Sequence, residues 1–244
     1  MRREELVAEV SPRIGKVGWA FYFTPETNAV GESLGLSPVR FYFLGRGGVL
    51  GNVEAEVVGS AFGYFSPGFV RKMWTSGSAL VAPRQAARAF FECCAALGRS
   101  RLSSVDGLDD LCTAAEAVNE AADSASLALY AGWRAEPLAD DPPARALQLI
   151  SVLRELRGSA HLLAVRAQNL DPKTAHYIKR PNDMGMFGWS QDDIPTVTES
   201  DRAKLASAEE LTNALLLPAY YVLDDTAAKA LVTGVEAVAS ALDT

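Results

Sequence analysis

The densest run of cationic and hydrogen-bonding side chains in the acidic C-terminal half lies between residues 173 and 180. On a helix, such side chains can donate to base edges and phosphates in the major groove of DNA. The acidic tract 191–201 follows closely and would oppose phosphate, so an ordinary solvated helix face is the alternative. The candidate DNA-binding residues are Lys173, Thr174, His176, Lys179 and Arg180, with Tyr177 between them.

The chain has two histidines, and His161 is the better candidate for chemistry. It follows Arg157-Gly158 and precedes Leu162-Leu163, a setting that predicts a helix junction facing the interior. A structural histidine bonded to the backbone would fit this setting. Because an imidazole has an ordinary pKa of about 6.5, His161 could instead serve as a general base or as a polar anchor for a ligand.

Most of the aromatic residues lie before residue 75. One interpretation is that they pack between short helices; the other is that some of them line an apolar pocket for a flat or greasy molecule. The candidate ligand-binding residues are Trp19, Tyr22, Phe23, Tyr42, Phe43, Phe62, Tyr64 and Phe65.

Several motifs of cofactor and metal chemistry are missing. The glycine-rich stretch Gly45-Arg46-Gly47-Gly48 lacks the following Lys-Ser/Thr of a phosphate-binding loop, and no Gly-x-Ser-x-Gly elbow occurs. Cys93, Cys94 and Cys112 show no ligand spacing with the histidines, and they are interpreted as small buried side chains in a reducing compartment. We therefore expect no cofactor and no metal.

The elements that position these residues are predicted to be helices. Five N-cap residues precede a proline at a first helical position, and glycines 35, 45 and 98 stand where helices would end. Apolar periodicity predicts long helices at about 82–97, 108–130, 142–156 and 226–242. The five predicted starts are Thr24-Pro25, Ser37-Pro38, Ser66-Pro67, Asp141-Pro142 and Asp171-Pro172.

The C-terminal part has the order of a winged helix. The sequence predicts a helix over 142–156, a break at Gly158 and a resumed helix over 161–168. A short helix over 172–179 follows, and this order predicts a helix-turn-helix. A helix over 199–215 is then followed by Leu215–Leu217 and Tyr220–Leu223, which predict one short β-hairpin around Pro218.

A domain boundary is predicted in 131–143, where proline, glycine and aspartate interrupt the periodicity. The fold class expected is mainly α. Residues 1–135 would form a helical, aromatic-rich ligand-binding domain, and residues 142–244 a winged-helix-like domain.

Charge and hydropathy restrict the partners. The 244-residue chain has a net charge of −7 and a pI near 5.0, so it repels nucleic acid and anionic membrane except at a local basic patch. No apolar run approaches the ~18 residues of a membrane span. The acidic residues that follow Arg2-Arg3 do not fit a signal peptide, so a cytoplasmic location is expected.

Ordered stretches over nearly the whole chain carry a family resemblance. The sequence resembles an actinobacterial family labelled helix-turn-helix. The resemblance implies a helix-turn-helix fold. It also points to Glu26, Arg46 and His161, the polar members of the matching stretches, as candidate site residues. The stretches are 20–26 (AFYFTPE), 41–46 (FYFLGR) with 50–51 (LG), 62–67 (FGYFSP), 153–161 (LRELRGSAH) and 188–190 (GWS).

The final segment is also similar to the wing and last helix of MarR-type regulators. It departs from that pattern because residues 225–229 lack the expected glycine and the hairpin tip has no arginine or lysine. A wing without a basic tip is a poor DNA probe.

The expected function is therefore binding of an apolar or aromatic small molecule, in the manner of a ligand-responsive winged-helix regulator. DNA is a weakly supported second partner. One alternative is an enzyme of specialised metabolism that uses His161 with Glu26 or Arg46, and another is a protein that sequesters a metabolite. Winged-helix regulators are usually dimers, so a homodimer is expected unless two helical halves form an internal pseudo-dimer.

Overall fold

The computed structural model describes residues 1–243, and all regular structure within that range is helical. Short 3-10 turns occupy Gly48–Leu50, Pro181–Phe187 and Gln191–Asp193. The mainly α class is confirmed. The α-helices are α1 (Arg3–Val17), α2 (Pro25–Ser33), α3 (Pro38–Gly47), α4 (Ala55–Phe62), α5 (Pro67–Ser78), α6 (Pro83–Leu102), α7 (Leu108–Ala121), α8 (Ala128–Arg134), α9 (Pro142–Ala167), α10 (Pro172–Lys179), α11 (Glu199–Tyr220) and α12 (Asp225–Ala241).

The five predicted Pro-initiated helices all begin at the expected residue. At three of them the side chain before the proline also accepts a hydrogen bond from the backbone of the first turn: Thr24 from Thr27, Asp141 from Ala144 and Asp171 from Thr174. These bonds satisfy backbone donors that a helix start otherwise leaves unpaired. Local capping chemistry therefore fixes where these helices begin.

The predicted β-hairpin is wrong. Helix α11 continues through Leu215–Leu217 to Tyr220, and no strand occurs anywhere in residues 1–243. Leu216, Ala219 and Tyr220 are buried at helical spacing, so packing of one helix face outweighs the strand preference of the tyrosines. Pro218 lies inside the last turn of α11, so the helix continues there despite the backbone hydrogen bond that a proline removes.

Other helix boundaries also differ from the prediction. Helices α3 and α6 continue past Gly45 and Gly98, where they were expected to end, to Gly47 and Leu102. Helix α9 runs without a break through Gly158, because an interior glycine costs only about 1 kcal/mol and strong helix formers flank it. The long helix predicted over 108–130 is divided, since α7 ends at Ala121 and Ser126 adopts a positive φ of 66° before α8. The helix-turn-helix prediction thus corresponds to α9, a tight turn at 168–171 and α10.

Helix α9 lies at the centre of the molecule and packs against α1, α6, α7, α8 and α11. One continuous cluster of buried apolar side chains extends from Leu6 in α1 to Leu242 after α12. A smaller cluster holds α10 against the ends of α9 and α11. The division into residues 1–135 and 142–244 stays a prediction, and both parts contribute to the main cluster.

Close packing of α1 on α9 depends on a glycine. A Cβ atom at Gly18 would lie 2.6 Å from Cβ of Arg154, closer than real side chains approach. The end of α1 can therefore reach the face of α9 that carries Arg154, Arg157 and Gly158. This approach forms one side of the site described below.

The three cysteines are buried, as expected, and their thiols are not in disulfide bonds. Within residues 1–243 no helix has both the length and the apolar character needed to cross a membrane.

Candidate ligand-binding cleft

A cleft of about 440 Å³ opens between α1, the middle of α9, the end of α4 and the α10 segment. We call it the central cleft. Its size falls within the range of small-molecule sites. Its lining residues are Ser11, Pro12, Gly15, Lys16, Trp19, Tyr42, Arg46, Ala61, Phe62, Tyr64, Phe65, Arg154, Arg157, Gly158, Ser159, His161, Leu162, Ala175, His176, Lys179, Arg180 and Phe187.

A buried ion pair forms the floor of the cleft. Arg46 Nε and Nη2 donate to the two carboxylate oxygens of Glu155 at 3.0 and 2.9 Å. Arg46 Nη1 donates to the Tyr42 hydroxyl at 3.0 Å, and its guanidinium lies 4.5 Å from the ring centre of Phe62. The Tyr22 hydroxyl donates to Glu155 at 2.8 Å. Every polar group at the floor therefore has a partner.

The charge state of Glu155 follows from these partners. Burial by itself would raise the pKa of this fully buried carboxyl, but Arg46 and Arg154 outweigh that effect and lower its pKa to about 2. The carboxylate stays ionised at neutral pH, and it holds Arg46 and Arg154 on the cleft side of α3 and α9.

His161 is fixed in one neutral form. The Thr212 hydroxyl donates to the Ala208 carbonyl at 2.6 Å, so His161 Nδ1, which lies 2.9 Å from that hydroxyl oxygen, must donate to it. Nε2 then carries the lone pair and lies 3.5 Å from Lys179 Nζ. Burial, with Lys179 and Arg157 nearby, lowers the pKa of His161 to about 3. His161 thus presents an acceptor beside the cleft.

Glu209 of α11 connects three residues of the cleft. Its carboxylate accepts from Arg157 Nη2 at 2.8 Å, forms an ion pair with Lys179, and lies 3.6 Å from His161 Nε2. Glu209 itself is only partly buried and does not line the cleft. It therefore ties α9 and α10 to α11 behind the cleft wall.

Aromatic side chains from two separated segments form the upper wall. Phe187 stacks on Phe65 with ring centres 4.1 Å apart and lies 3.8 Å from the His176 ring. The turn that carries Phe187 is anchored by Trp189 Nε1, which donates to the Tyr64 carbonyl at 2.9 Å. Gly188 permits this contact, because it has a φ of +77° and a Cβ there would lie 2.4 Å from Phe69.

Four buried polar atoms in the cleft-lining residues have no hydrogen-bond partner. Buried polar groups are almost always paired, because each unmade bond costs about 1–3 kcal/mol. Exceptions that gather at one cleft are candidates for ligand contacts. The atoms are Ser11 Oγ, Tyr64 Oη, Arg157 Nε and His176 Nε2.

Five of the eight aromatic candidates line the central cleft: Trp19, Tyr42, Phe62, Tyr64 and Phe65. The other three lie elsewhere. Tyr22 is buried below the floor beside Glu155, Phe43 is fully buried in the core, and Phe23 is exposed and stacks on Tyr42.

Two of the five candidate DNA-binding residues in and after α10 are buried, and the other three are at least partly exposed. Thr174 and His176 are buried, and Lys179 pairs with Glu209. Lys173 lies over the Trp189 ring at 5.0 Å, and Arg180 is exposed at the rim of the cleft. Three of the five, His176, Lys179 and Arg180, line the cleft.

Of the candidate catalytic residues, Arg46 and His161 both line the cleft, whereas Glu26 does not. Glu26 is exposed at the start of α2 and lines a separate groove against α6. Sequence reasoning did not single out Arg154, Arg157 or Glu155 as site residues, although the stretch 153–161 that carries the family resemblance contains all three. It also missed Glu209, for which the sequence gives no signal.

Within residues 1–243 no three histidine, cysteine or carboxylate side chains lie together as metal ligands. The site is instead built from arginine, lysine, neutral histidine and aromatic rings.

Comparison with known proteins gives one result for the chain as a whole. The model of a helix-turn-helix family matches residues 7–244, and the protein belongs to that family. Searches of curated proteins and of solved structures return no match. The family agrees with the helix-turn-helix order of α9 and α10.

Proposed function

We propose that this protein is a small-molecule-binding member of the helix-turn-helix family, and that its ligand lies in the central cleft. The observation that carries the proposal is the group of four unpartnered polar atoms in cleft-lining residues. A protein that leaves such atoms unpaired gains binding energy when a ligand pairs them.

The α10 helix supports the same proposal from another direction. A helix that reads DNA presents its polar side chains to solvent, whereas Thr174 and His176 of α10 are buried and His176 borders the cleft. The inward face of α10 is therefore better suited to contact a bound molecule than a DNA groove.

The cleft also has room for a ligand on the face of α9. A Cβ atom at Gly158 or at Gly15 would meet no atom within 4 Å, and both glycines line the cleft. A ligand can therefore fit in the open space between α1 and α9.

Filling this space tests the proposal. The uncharged dye N-phenyl-1-naphthylamine, which fluoresces in apolar sites, would be titrated into the wild type, Gly158→Leu and Gly68→Leu. Gly68 is an exposed helical glycine outside the cleft with equally open surroundings. We expect Gly158→Leu to abolish dye binding and Gly68→Leu to leave it unchanged. Equal binding by all three proteins would refute the proposal.

A DNA-binding regulator that responds to the ligand is the second candidate, and family membership favours it. The α10 helix would then serve both activities, since its inner face borders the cleft while Lys173 is partly exposed and Arg180, just after the helix, is exposed. Ligand contacts with His176 and Lys179 would change the position of α10 and so the affinity for DNA.

A further inference from the structure

The central cleft concentrates positive charge in an acidic protein. No aspartate or glutamate is among its lining residues, whereas the chain as a whole has a net charge of −7. Such a local excess attracts anions and holds them more strongly than an open surface would. The cationic lining residues are Lys16, Arg46, Arg154, Arg157, Lys179 and Arg180.

Two carboxylates behind the walls neutralise only part of this charge. Glu155 pairs with Arg46 and Arg154, and Glu209 pairs with Arg157 and Lys179. The six cations therefore exceed the two carboxylates by four charges. A bound anion would reduce that excess.

Three of the buried, unpartnered atoms belong to side chains that line the cleft, and they can donate hydrogen bonds to an anion when these side chains turn towards it. Arg157 Nε and Tyr64 Oη are donors, and a neutral imidazole can carry its proton at His176 Nε2. Burial, with Arg180 nearby, lowers the pKa of His176 to about 4, so this ring is neutral at pH 7. The ring of Tyr64 lies 6.5 Å from that of His161 and 6.2 Å from that of His176, and Tyr64 also interacts electrostatically with Arg157.

The remainder of the cleft is aromatic. Phe62, Phe65 and Phe187 line it, and Trp19 stands at its edge with nearly half of its surface exposed. These rings offer flat apolar surface to the part of the ligand that carries no charge. The anion is therefore expected to be attached to a ring or an apolar chain.

We propose that the cleft binds an organic anion, and that its carboxylate, sulfonate or phosphate group accepts hydrogen bonds from Arg157, Tyr64 and His176. We call these three residues the anion subsite. This inference rests on the proposed function and adds the chemical class of the ligand. Inorganic phosphate and the phosphates of DNA share the charged group but lack the apolar part, so they would bind the subsite more weakly.

A pair of related dyes separates charge from shape. 8-Anilinonaphthalene-1-sulfonate carries the sulfonate that N-phenyl-1-naphthylamine lacks, and the two are otherwise alike. Both would be titrated into the wild type, Arg157→Gln, Gly158→Leu and the control Arg99→Gln. Arg99 makes surface ion pairs with Glu92 and Asp141 away from the cleft.

We expect the Arg157→Gln change to weaken binding of the sulfonate about tenfold or more, because it removes a charge-assisted hydrogen bond, and to leave the uncharged dye within about twofold. Gly158→Leu should abolish binding of both dyes, and Arg99→Gln should affect neither. Inorganic phosphate should displace the sulfonate only at far higher concentration than 1-naphthalenesulfonate does.

The two proposals fail in different ways. If Gly158→Leu blocks both dyes but Arg157→Gln weakens them equally or not at all, the cleft binds small molecules and the anion subsite is refuted. If Gly158→Leu blocks neither dye, the proposed function and the anion subsite are both refuted. If inorganic phosphate competes as well as the aryl sulfonate, the subsite recognises the anion alone and the assignment of an organic ligand is overturned.

Discussion

The guanidinium of Arg46 and the carboxylate of Glu155 form a two-point ion pair at the floor of the central cleft, with nitrogen–oxygen distances of 3.0 and 2.9 Å. The two residues are 109 positions apart in the chain. Their pairing joins α3 to α9, and it leaves Arg46 Nη1 and the Tyr42 hydroxyl fixed beneath the space that we assign to the ligand.

Removing one partner of this pair should destabilise the protein strongly. In Glu155→Gln the buried guanidinium of Arg46 loses its counter-charge, so we expect the free energy of unfolding in urea to fall by about 3–5 kcal/mol. Glu92→Gln is the matched control, because it removes an exposed ion pair with Arg99 and should cost less than about 1 kcal/mol. A loss of similar size in both variants would contradict the structural role given to Glu155.

Helix α9 should tolerate a larger residue at its interior glycine. Gly158→Leu replaces a flexible residue by a strong helix former and its Cβ meets no atom within 4 Å, so we expect unchanged or slightly raised stability, by up to about 1 kcal/mol. Urea unfolding measures this directly. A marked loss of stability would mean that the space beside Gly158 is not open, and the variant could then not be used to block the cleft.

His161 should make stability depend on pH. Its pKa is about 3 in the folded protein and about 6.5 when unfolded, so the stability it contributes is complete above pH ~6.5 and is lost as the pH falls towards 3. His161→Asn keeps a donor for Thr212 but does not titrate. Between pH 6 and 5 it should reduce the slope of unfolding free energy against pH by up to about 1.4 kcal/mol per unit. An unchanged slope would show that His161 is not held neutral by its surroundings.

Neutralising Glu209 should favour anion binding. This carboxylate accepts a hydrogen bond from Arg157 Nη2 and pairs with Lys179, so its negative charge offsets the positive charge that attracts an anion to the subsite. Glu209→Gln is expected to tighten binding of 8-anilinonaphthalene-1-sulfonate by about threefold to tenfold without affecting N-phenyl-1-naphthylamine. A purely structural role for Glu209 would instead weaken both dyes or neither.

DNA binding by α10 has its own test. If the protein is a regulator, it should bind DNA from upstream of its own gene at low salt, and Lys173→Glu should weaken that binding uniformly and lower its salt dependence. Fluorescence anisotropy measures both effects. Absence of binding at low salt would eliminate the DNA-binding candidate and leave the small-molecule site unaffected.

The sequence predicted those features that local chemistry determines. The helix starts at Thr24-Pro25 and Asp171-Pro172 could be predicted because an N-cap residue and its proline act within one helical turn. At Leu215–Tyr220 the local strand preference was misleading, since burial of Leu216 and Tyr220 against the main core decides for helix there.

The candidate site was predicted only in part for the same physical reason. Arg46 and His161 were selected from stretches that carry the family resemblance, and both line the cleft. Their partners Glu155, Thr212 and Glu209 are brought to them by the packing of α3, α9 and α11, which no local pattern encodes. Glu26 belongs to the matching stretch 20–26 together with aromatic residues, but it lies at the start of α2 and lines a different groove.

The most direct test of the central claim is a crystal structure of the protein with 8-anilinonaphthalene-1-sulfonate. We predict that the dye occupies the central cleft, with its sulfonate within about 3 Å of Arg157 Nε and Tyr64 Oη and its rings against Phe65 and Phe187. A dye bound outside the cleft, or bound inside it with the sulfonate directed away from Arg157, would contradict the account.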